Sequence, residues 1–399
     1  MGVYNKKDLR KVPLSIWVLG FVSMLMDISS ELIHSLLPVF LVSVLGASAF
    51  TVGLIEGVAE AAALIVKIFS GTLSDYLGKR KMLAVLGYGL GALSKPLFAI
   101  ASSTGMVFSA RLLDRIGKGI RGAPRDALVA DIAPLQVRGA AYGVRQSLDT
   151  VGAFTGPLLA VGLMLLWAND IRAVFWVAVI PGILSVLLLF YGIREPERKV
   201  NDRRINPIHW RELKRLCSAY WWVVGIGAVF TLARFSEAFL ILRAQQGGLP
   251  MAWVPLVLVA MNLVYALSAY PFGKLSDSVS HIHLLVLGLV VLIGADWVLA
   301  SGSTLLMIFL GVCLWGLHMG ITQGLLARMV ADAAPADLRG TAFGIFNLLC
   351  GLTILIANAL AGLLWDQLGP ASTFYAGVLF CVLAMAAIVF KGLRSQAHG

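Results

Sequence analysis

Apolar residues run through this chain in long blocks, and short polar stretches interrupt them at regular intervals. Crossing about 30 Å of hydrocarbon takes roughly 18 or more apolar residues at about 1.5 Å per residue. The blocks meet that length again and again, which predicts an all-α integral membrane protein of twelve transmembrane helices. The expected spans are 14–44, 50–74, 81–101, 104–128, 139–166, 172–193, 218–242, 251–275, 283–301, 304–328, 340–365 and 371–391. Only Arg194–Arg215, REPERKVNDRRINPIHWRELKR, breaks the rhythm with a long polar and basic segment. It divides the chain into an N-terminal six-helix bundle (1–193), a basic linker (194–217) and a C-terminal six-helix bundle (218–399).

The two halves repeat one another. VADIAPLQVRGAAYG, Val129–Gly143, returns as VADAAPADLRGTAFG, Val330–Gly344. Upstream, GTLSD at Gly71–Asp75 returns as GKLSD at Gly273–Asp277, with the same spacing to within one residue. Two matched pairs at matched offsets imply duplicated, pseudo-symmetric bundles. That is the build of many secondary transporters, whose substrate lies between the repeats.

Composition agrees on the solvent. The chain is 59% hydrophobic and 13% charged, against about 25% charged in soluble domains. Its net charge of +11 is placed by topology. Lys6, Lys7, Arg10 and Lys11 precede the first span, Lys79, Arg80 and Lys81 follow the second, and Lys391 and Arg394 follow the last. With the basic linker, they put both termini on the cytoplasmic side of a cytoplasmic (inner) membrane. The same charges suit anionic lipid and give no support to nucleic-acid binding. The first apolar run is too long for a signal-peptide core. The four cysteines fall singly in or beside spans, with no zinc spacing and no expected disulfide. No metal and no cofactor are expected. A phosphate-binding Gly-x-x-x-x-Gly-Lys-Ser/Thr loop is absent, as is any hydrolase arrangement, so neither ATP hydrolysis nor another enzyme activity is expected. A monomer is expected.

Ionisable side chains inside spans are costly, about 2.5–3.5 kcal/mol each on insertion scales, and so mark functional candidates. Span one carries Asp27, Glu31 and His34 on one helical face, and span two carries Glu56 and Glu60 on another. Span four stacks Arg111, Asp114, Arg115 and Lys118 on one stripe, and span five holds Arg145 and Asp149 four residues apart. Asp27 lies roughly 20 Å along span one. The carboxylates of spans one and two are expected to face the basic stripe of span four near the midplane. Arg234 and Glu237 in span seven are three apart and placed to pair. All of these are candidates for a substrate cavity. Two readings of the set stand. In one, Asp27 or Glu31 takes up and releases a proton as access to the cavity alternates, since burial opposes a carboxylate's charge and a nearby cation favours it. In the other, the charges are paired permanently and specify helix packing.

The repeated loops look like gates. In Gly71–Lys81, Gly71 allows close helix approach, and Asp75 offers a carboxylate to the free N–H groups of a helix N-terminus in the other half. Lys79, Arg80 and Lys81 would hold the turn at the anionic leaflet. Arg138 and Arg339, each followed by glycine, open spans five and eleven. In span five, Gly152-Ala-Phe-Thr-Gly156-Pro157 combines a small-residue packing face with a helix-bending proline.

These residues carry a specific resemblance. Gly71-x-x-x-Asp75-x-x-Gly78-Lys79-Arg80-Lys81 resembles the cytoplasmic loop motif of major facilitator superfamily transporters, with Tyr76 where a basic residue is usual. The second copy keeps Gly273 and Asp277 and replaces the basic tail. The resemblance covers essentially the whole chain and implies the major facilitator fold, with alternating access by rocking of two halves. Gly71, Asp75, Gly78, Arg80, Arg138, Gly273, Asp277 and Arg339 would form the conformational gate. Gly152, Gly156 and Pro157 resemble the antiporter motif of exporters in that superfamily. Arg111 stands where the superfamily has a buried arginine linked to proton coupling, although Asp114 and Arg115 depart from its usual neighbours.

The function expected is a proton-coupled antiporter exporting a small molecule, with Asp27, Glu31 and Arg111 in coupling. Two alternatives stay open. One is a proton-coupled transporter of an organic anion, outward or inward, that seats a carboxylate or phosphate on Arg111, Arg115 and Lys118. The other is a membrane sensor of transporter fold.

Overall fold

The computed structural model describes residues 12–195 and 215–396, apart from Asp277, Gln323, Ala336, Asp337 and the side chains of Asp75 and 391–396. The expected Lys6–Lys11 cluster, most of the linker and Asp277 lie outside the described residues.

The apolar blocks fold as helices. They are α1 (Leu14–His34), α2 (Ala49–Leu77), α3 (Arg80–Ile100), α4 (Thr104–Ile132), α5 (Arg138–Leu166) and α6 (Ile171–Gly192). After the linker come α7 (Ser218–Ala233), α8 (Ala238–Gln246), α9 (Leu256–Leu275), α10 (His281–Ser301), α11 (Leu305–Thr322), α12 (Leu325–Ala333), α13 (Arg339–Leu368) and α14 (Pro370–Gln396). Among the described residues, 11 helical stretches are long and apolar enough to cross a membrane. α4 is a 29-residue helix whose density of charge keeps it out of that set.

Three expected spans are interrupted. The first ends its α-helix at His34 and continues through a π-helical turn at Phe40–Val44, beyond Pro38, which disfavours helix in the residue before it. The seventh breaks between α7 and α8 at Arg234–Glu237. There the freed Ser236 N–H donates to Asn358 Oδ1 of α13 at 2.6 Å. The tenth breaks before α12 at Gly324, whose φ of 70° is left-handed and suits glycine.

Contacts group residues up to Leu37 and Ala62–Pro207 as one compact unit, and Pro38–Ala61 with residues from Ile208 onward as another. Inside the first, α1 packs on α5 and α6, and α3 on α4 and α6. Inside the second, α7 packs on α13 and α14, and α10 on α11 and α14. The repeat read from sequence is therefore also a repeat of packing order. The core of the first unit interleaves Ile16, Leu19, Val22 and Met26 of α1 with Tyr88 of α3, Leu128 and Val129 of α4 and Leu189 of α6. The conserved geometry extends to the repeated arginines. Arg138 donates to the Ala130 carbonyl at 2.9 Å, and Arg339 to the Ala331 carbonyl at 3.2 Å, each closing the loop eight residues back.

In the second unit, the start of α2 is held by a distant side chain. Asp366 of α13 accepts the Ala49 N–H on Oδ1 at 3.0 Å and the Phe50 N–H on Oδ2 at 2.8 Å, while Ser48 Oγ accepts from Thr51. Three of the N–H groups that a helix leaves free at its start are thus satisfied. Asp366→Ala is expected to lower stability by about 1 kcal/mol, the usual worth of a side-chain cap. Thermal unfolding in detergent measures it, and an unchanged midpoint would show that water replaces the carboxylate at no cost.

Candidate functional site

The first unit contains a seam where acids and glycines interlock. Asp27 and Glu31 stand one turn apart on α1, and Gly152 and Gly156 one turn apart on α5. The two pairs are in register. A β-carbon built on Gly152 would lie 2.6 Å from the Met24 carbonyl oxygen and 3.0 Å from Asp27 Cβ. One built on Gly156 would lie 2.7 Å from Glu31 Cβ and 3.0 Å from the Ile28 carbonyl oxygen. Neither position has room for a side chain, so the glycines bring the two backbones together at the acids. Pro157, inside α5, removes one backbone donor just beyond this contact.

Both carboxylates are half-buried. Among the described residues, neither takes part in a hydrogen bond or ion pair. Asp149, Arg121, Lys118 and Arg125 act on Asp27 through space. The other acids nearby are tied down. Asp114 accepts from Lys95 Nζ at 2.8 Å, with Arg115 Nε 3.6 Å from its second oxygen. Lys95 also donates to Ser30 Oγ of α1 at 3.0 Å. Asp149 sits 2.9 Å from Arg145, which also lies 3.5 Å from Asp126 and donates to Gln146. The charges thus fall into two classes: fixed pairs on α3, α4 and α5, and two carboxylates without fixed partners on α1.

The α4 stripe is longer than its spacing suggested. Arg121 stacks over the Tyr88 ring, 4.9 Å from its centroid, and Arg125 Nη1 donates to Ser23 Oγ at 3.3 Å. Arg111 Nη2 lies 2.9 Å from His34 Nδ1. Arginine has only donors, so that nitrogen accepts. Lys118 is exposed, whereas Arg111, Asp114, Arg115 and Arg121 are buried. Asp114 takes its main cation from Lys95 of α3, a residue the sequence reading did not single out. Glu56 and Glu60 fall within the Pro38–Ala61 segment of the other unit.

Comparison with known proteins decides the family. The sequence model of the Major Facilitator Superfamily matches residues 19–357 and 248–398. The chain belongs to the Major Facilitator Superfamily. An uncharacterised transporter of this superfamily from Methanocaldococcus jannaschii is 32% identical over 398 residues, 97% of each chain. The quinolone resistance protein NorA of Staphylococcus aureus is 26% identical over 203 residues, 49% of this chain and 51% of that one. Among solved structures, a POT family transporter in complex with 5-aminolevulinic acid aligns with a TM-score of 0.79 at 13% identity, covering 96% of each chain. The fold is that of a multi-pass secondary transporter, and the protein is not an enzyme.

Within this superfamily chain, the loop residues expected to gate are placed as follows. Gly71 has Ala123 as its neighbour, and Gly78 ends α2 at a left-handed φ of 63°. Arg80 was expected at the lipid surface. It is buried instead, donating to Asp131 at 2.6 Å and to the Ala127 carbonyl at 2.9 Å, because the last turns of α4 present a carboxylate and a backbone carbonyl there. Lys81 likewise donates to the Phe190 carbonyl, and its backbone N–H donates to Glu195. The side chain of Asp75 is outside the described residues, and Gly273 faces open space. Arg234 and Glu237 flank the break between α7 and α8, with Arg234 over the Phe230 ring at 5.7 Å.

Proposed function

We propose that this transporter is a proton-coupled antiporter that exports a small molecule, with Asp27 and Glu31 as proton carriers. The observation that supports the reading most is the seam. The Gly-x-x-x-Gly-Pro signature of α5 rests on the two acids of α1 that lack fixed partners. A carboxylate that alternates between proton and cavity needs freedom from permanent pairing, and a moving helix needs a smooth neighbour. The partial sequence likeness to a quinolone resistance protein points the same way. The protein would act as a monomer in a cytoplasmic membrane with both termini inside, in line with the basic residues of its loops.

A second reading keeps the coupling and changes the cargo. Lys95, Arg111, Arg115 and Arg121 bring buried positive charge to one side of the first unit, and guanidinium groups match a carboxylate or phosphate. This favours an organic anion.

Proteoliposomes with an imposed pH gradient test the coupling. Asp27→Asn with Glu31→Gln is expected to reduce gradient-driven transport to the level of empty liposomes while sparing ligand exchange without a gradient. Gradient-driven flux at the wild-type rate would end the proposal. Displacement of bound ligand by organic anions alone would select the second cargo.

A further inference from the structure

Asp296 lies in α10, fully buried, and takes no part in the seam described above. Neither of its carboxylate oxygens has a hydrogen-bond partner. Ala295 precedes it and Leu292, Leu299 and Ala300 stand one turn away along α10, all buried. From α14, Gly377 faces it so closely that a β-carbon built there would collide with Oδ2. The Phe235 ring closes the same spot and belongs to an aromatic cluster with Phe239, Trp315 and Phe374.

The helices packed around α10 bring few titratable groups. α14 contributes Tyr375 and Cys381, the latter close enough to sense the carboxyl. α11 contributes Cys313 and His318, whose Nδ1 lies 2.8 Å from the Gly288 carbonyl oxygen, two turns away along α10. α12 contributes Arg328 and Asp332. From the seventh span come Arg234, Glu237 and Arg243, the last donating to the carbonyls of Leu299 and Gly302. Among the described residues, no hydrogen bond or ion pair from any of them reaches Asp296.

The first unit shows what is missing. There α3 and α6 correspond to α10 and α14, and Gly182 of α6 packs on Lys95 as Gly377 packs on Asp296. Lys95 has Asp114 and Ser30 as partners. The residue on α11 that the repeat aligns with Asp114 is Trp315, which offers no counter-charge. The space left beside Asp296 also limits its occupant. A cavity of about 10 Å³ shares Phe235 and Gly377 with the surroundings of Asp296, without being lined by Asp296 itself. That is room for about one water and too little for a hydrated metal ion or an organic cation.

An isolated carboxylate in apolar surroundings needs a proton, an ion or hydrogen bonds, and only the first fits here. We propose that Asp296 is a proton-binding site in the second unit, separate from Asp27 and Glu31. It carries its proton while α14 is packed against α10 and exchanges it when Gly377 moves away and water reaches the carboxyl.

Infrared difference spectroscopy of the full chain in lipid at neutral pH tests this directly. The wild type is expected to show the carbonyl band of a protonated carboxyl in a dry setting. Asp296→Asn should lose it, and Asp27→Asn with Glu31→Gln should keep it. Asp296→Leu, neutral and apolar, should lose the same band and serves if the asparagine variant does not fold. A wild-type spectrum that differs from the Asp296 variants only in ionised-carboxylate bands would overturn the proposal. The readout needs no transport, so the proton at Asp296 and the coupling role of Asp27 and Glu31 stand or fall separately.

Discussion

Lys95→Met is expected to cost about 3–5 kcal/mol of stability, the range for removing one partner of a buried ion pair. Lys95 is 1% exposed and is the closest cation to Asp114, which is 3% exposed. Without it, the closest cation left to Asp114 among the described residues is Arg115, at 3.6 Å, and Ser30 loses its donor. The loss belongs to the stranded carboxylate more than to the pair itself. Lys95→Met combined with Asp114→Leu should therefore recover most of it, because apolar replacement of both partners is often neutral or better. Thermal unfolding of the two single variants and the double variant completes the cycle. A single-variant loss below about 1 kcal/mol would place the pair with exposed salt bridges and deny it a role in the bundle.

The second large effect concerns the α1–α5 seam. Gly156→Ala puts a methyl group where Glu31 Cβ already stands, 2.7 Å away, and the backbone of Ile28 blocks the alternative. Overpacking of this kind costs about 1–3 kcal/mol. Its functional cost is expected to be greater, because the methyl displaces a proposed proton carrier, and transport should fall to background. Gly162 on the same helix has open space around it, so Gly162→Ala should leave both stability and transport intact. The comparison separates contact from helix propensity. Equal behaviour of the two variants in transport assays would show that the seam is not where coupling occurs.

The spans and the repeat were legible because both are local. A membrane demands an unbroken apolar length, and duplicated loops leave matched strings. The ingredients of the seam were legible too, since acids four apart and glycines four apart each mark one helical face. Their mutual register was not, because which turn of α5 meets which turn of α1 depends on the packing of two separate helices. Lys95 escaped notice for the same reason. It stands in an apolar run just before Pro96, and its partner lies on another helix. Asp296 has no other charged residue within one turn of it on α10, so spacing marks no face there, and its burial shows only in the packed bundle. The break after α7 has neither glycine nor proline at Arg234–Glu237. It exists because Asn358, 122 positions away, accepts the freed Ser236 N–H.

The capping of α2 by Asp366 has a consequence for how motion in this molecule can be followed. The Ala49 and Phe50 amide protons are shielded by a carboxylate from α13 rather than by their own helix. Their exchange with deuterium requires that the contact open, while amides one turn further along are protected by ordinary helical bonds. Two adjacent positions thus form a native clock, ticking each time the eleventh span leaves the second.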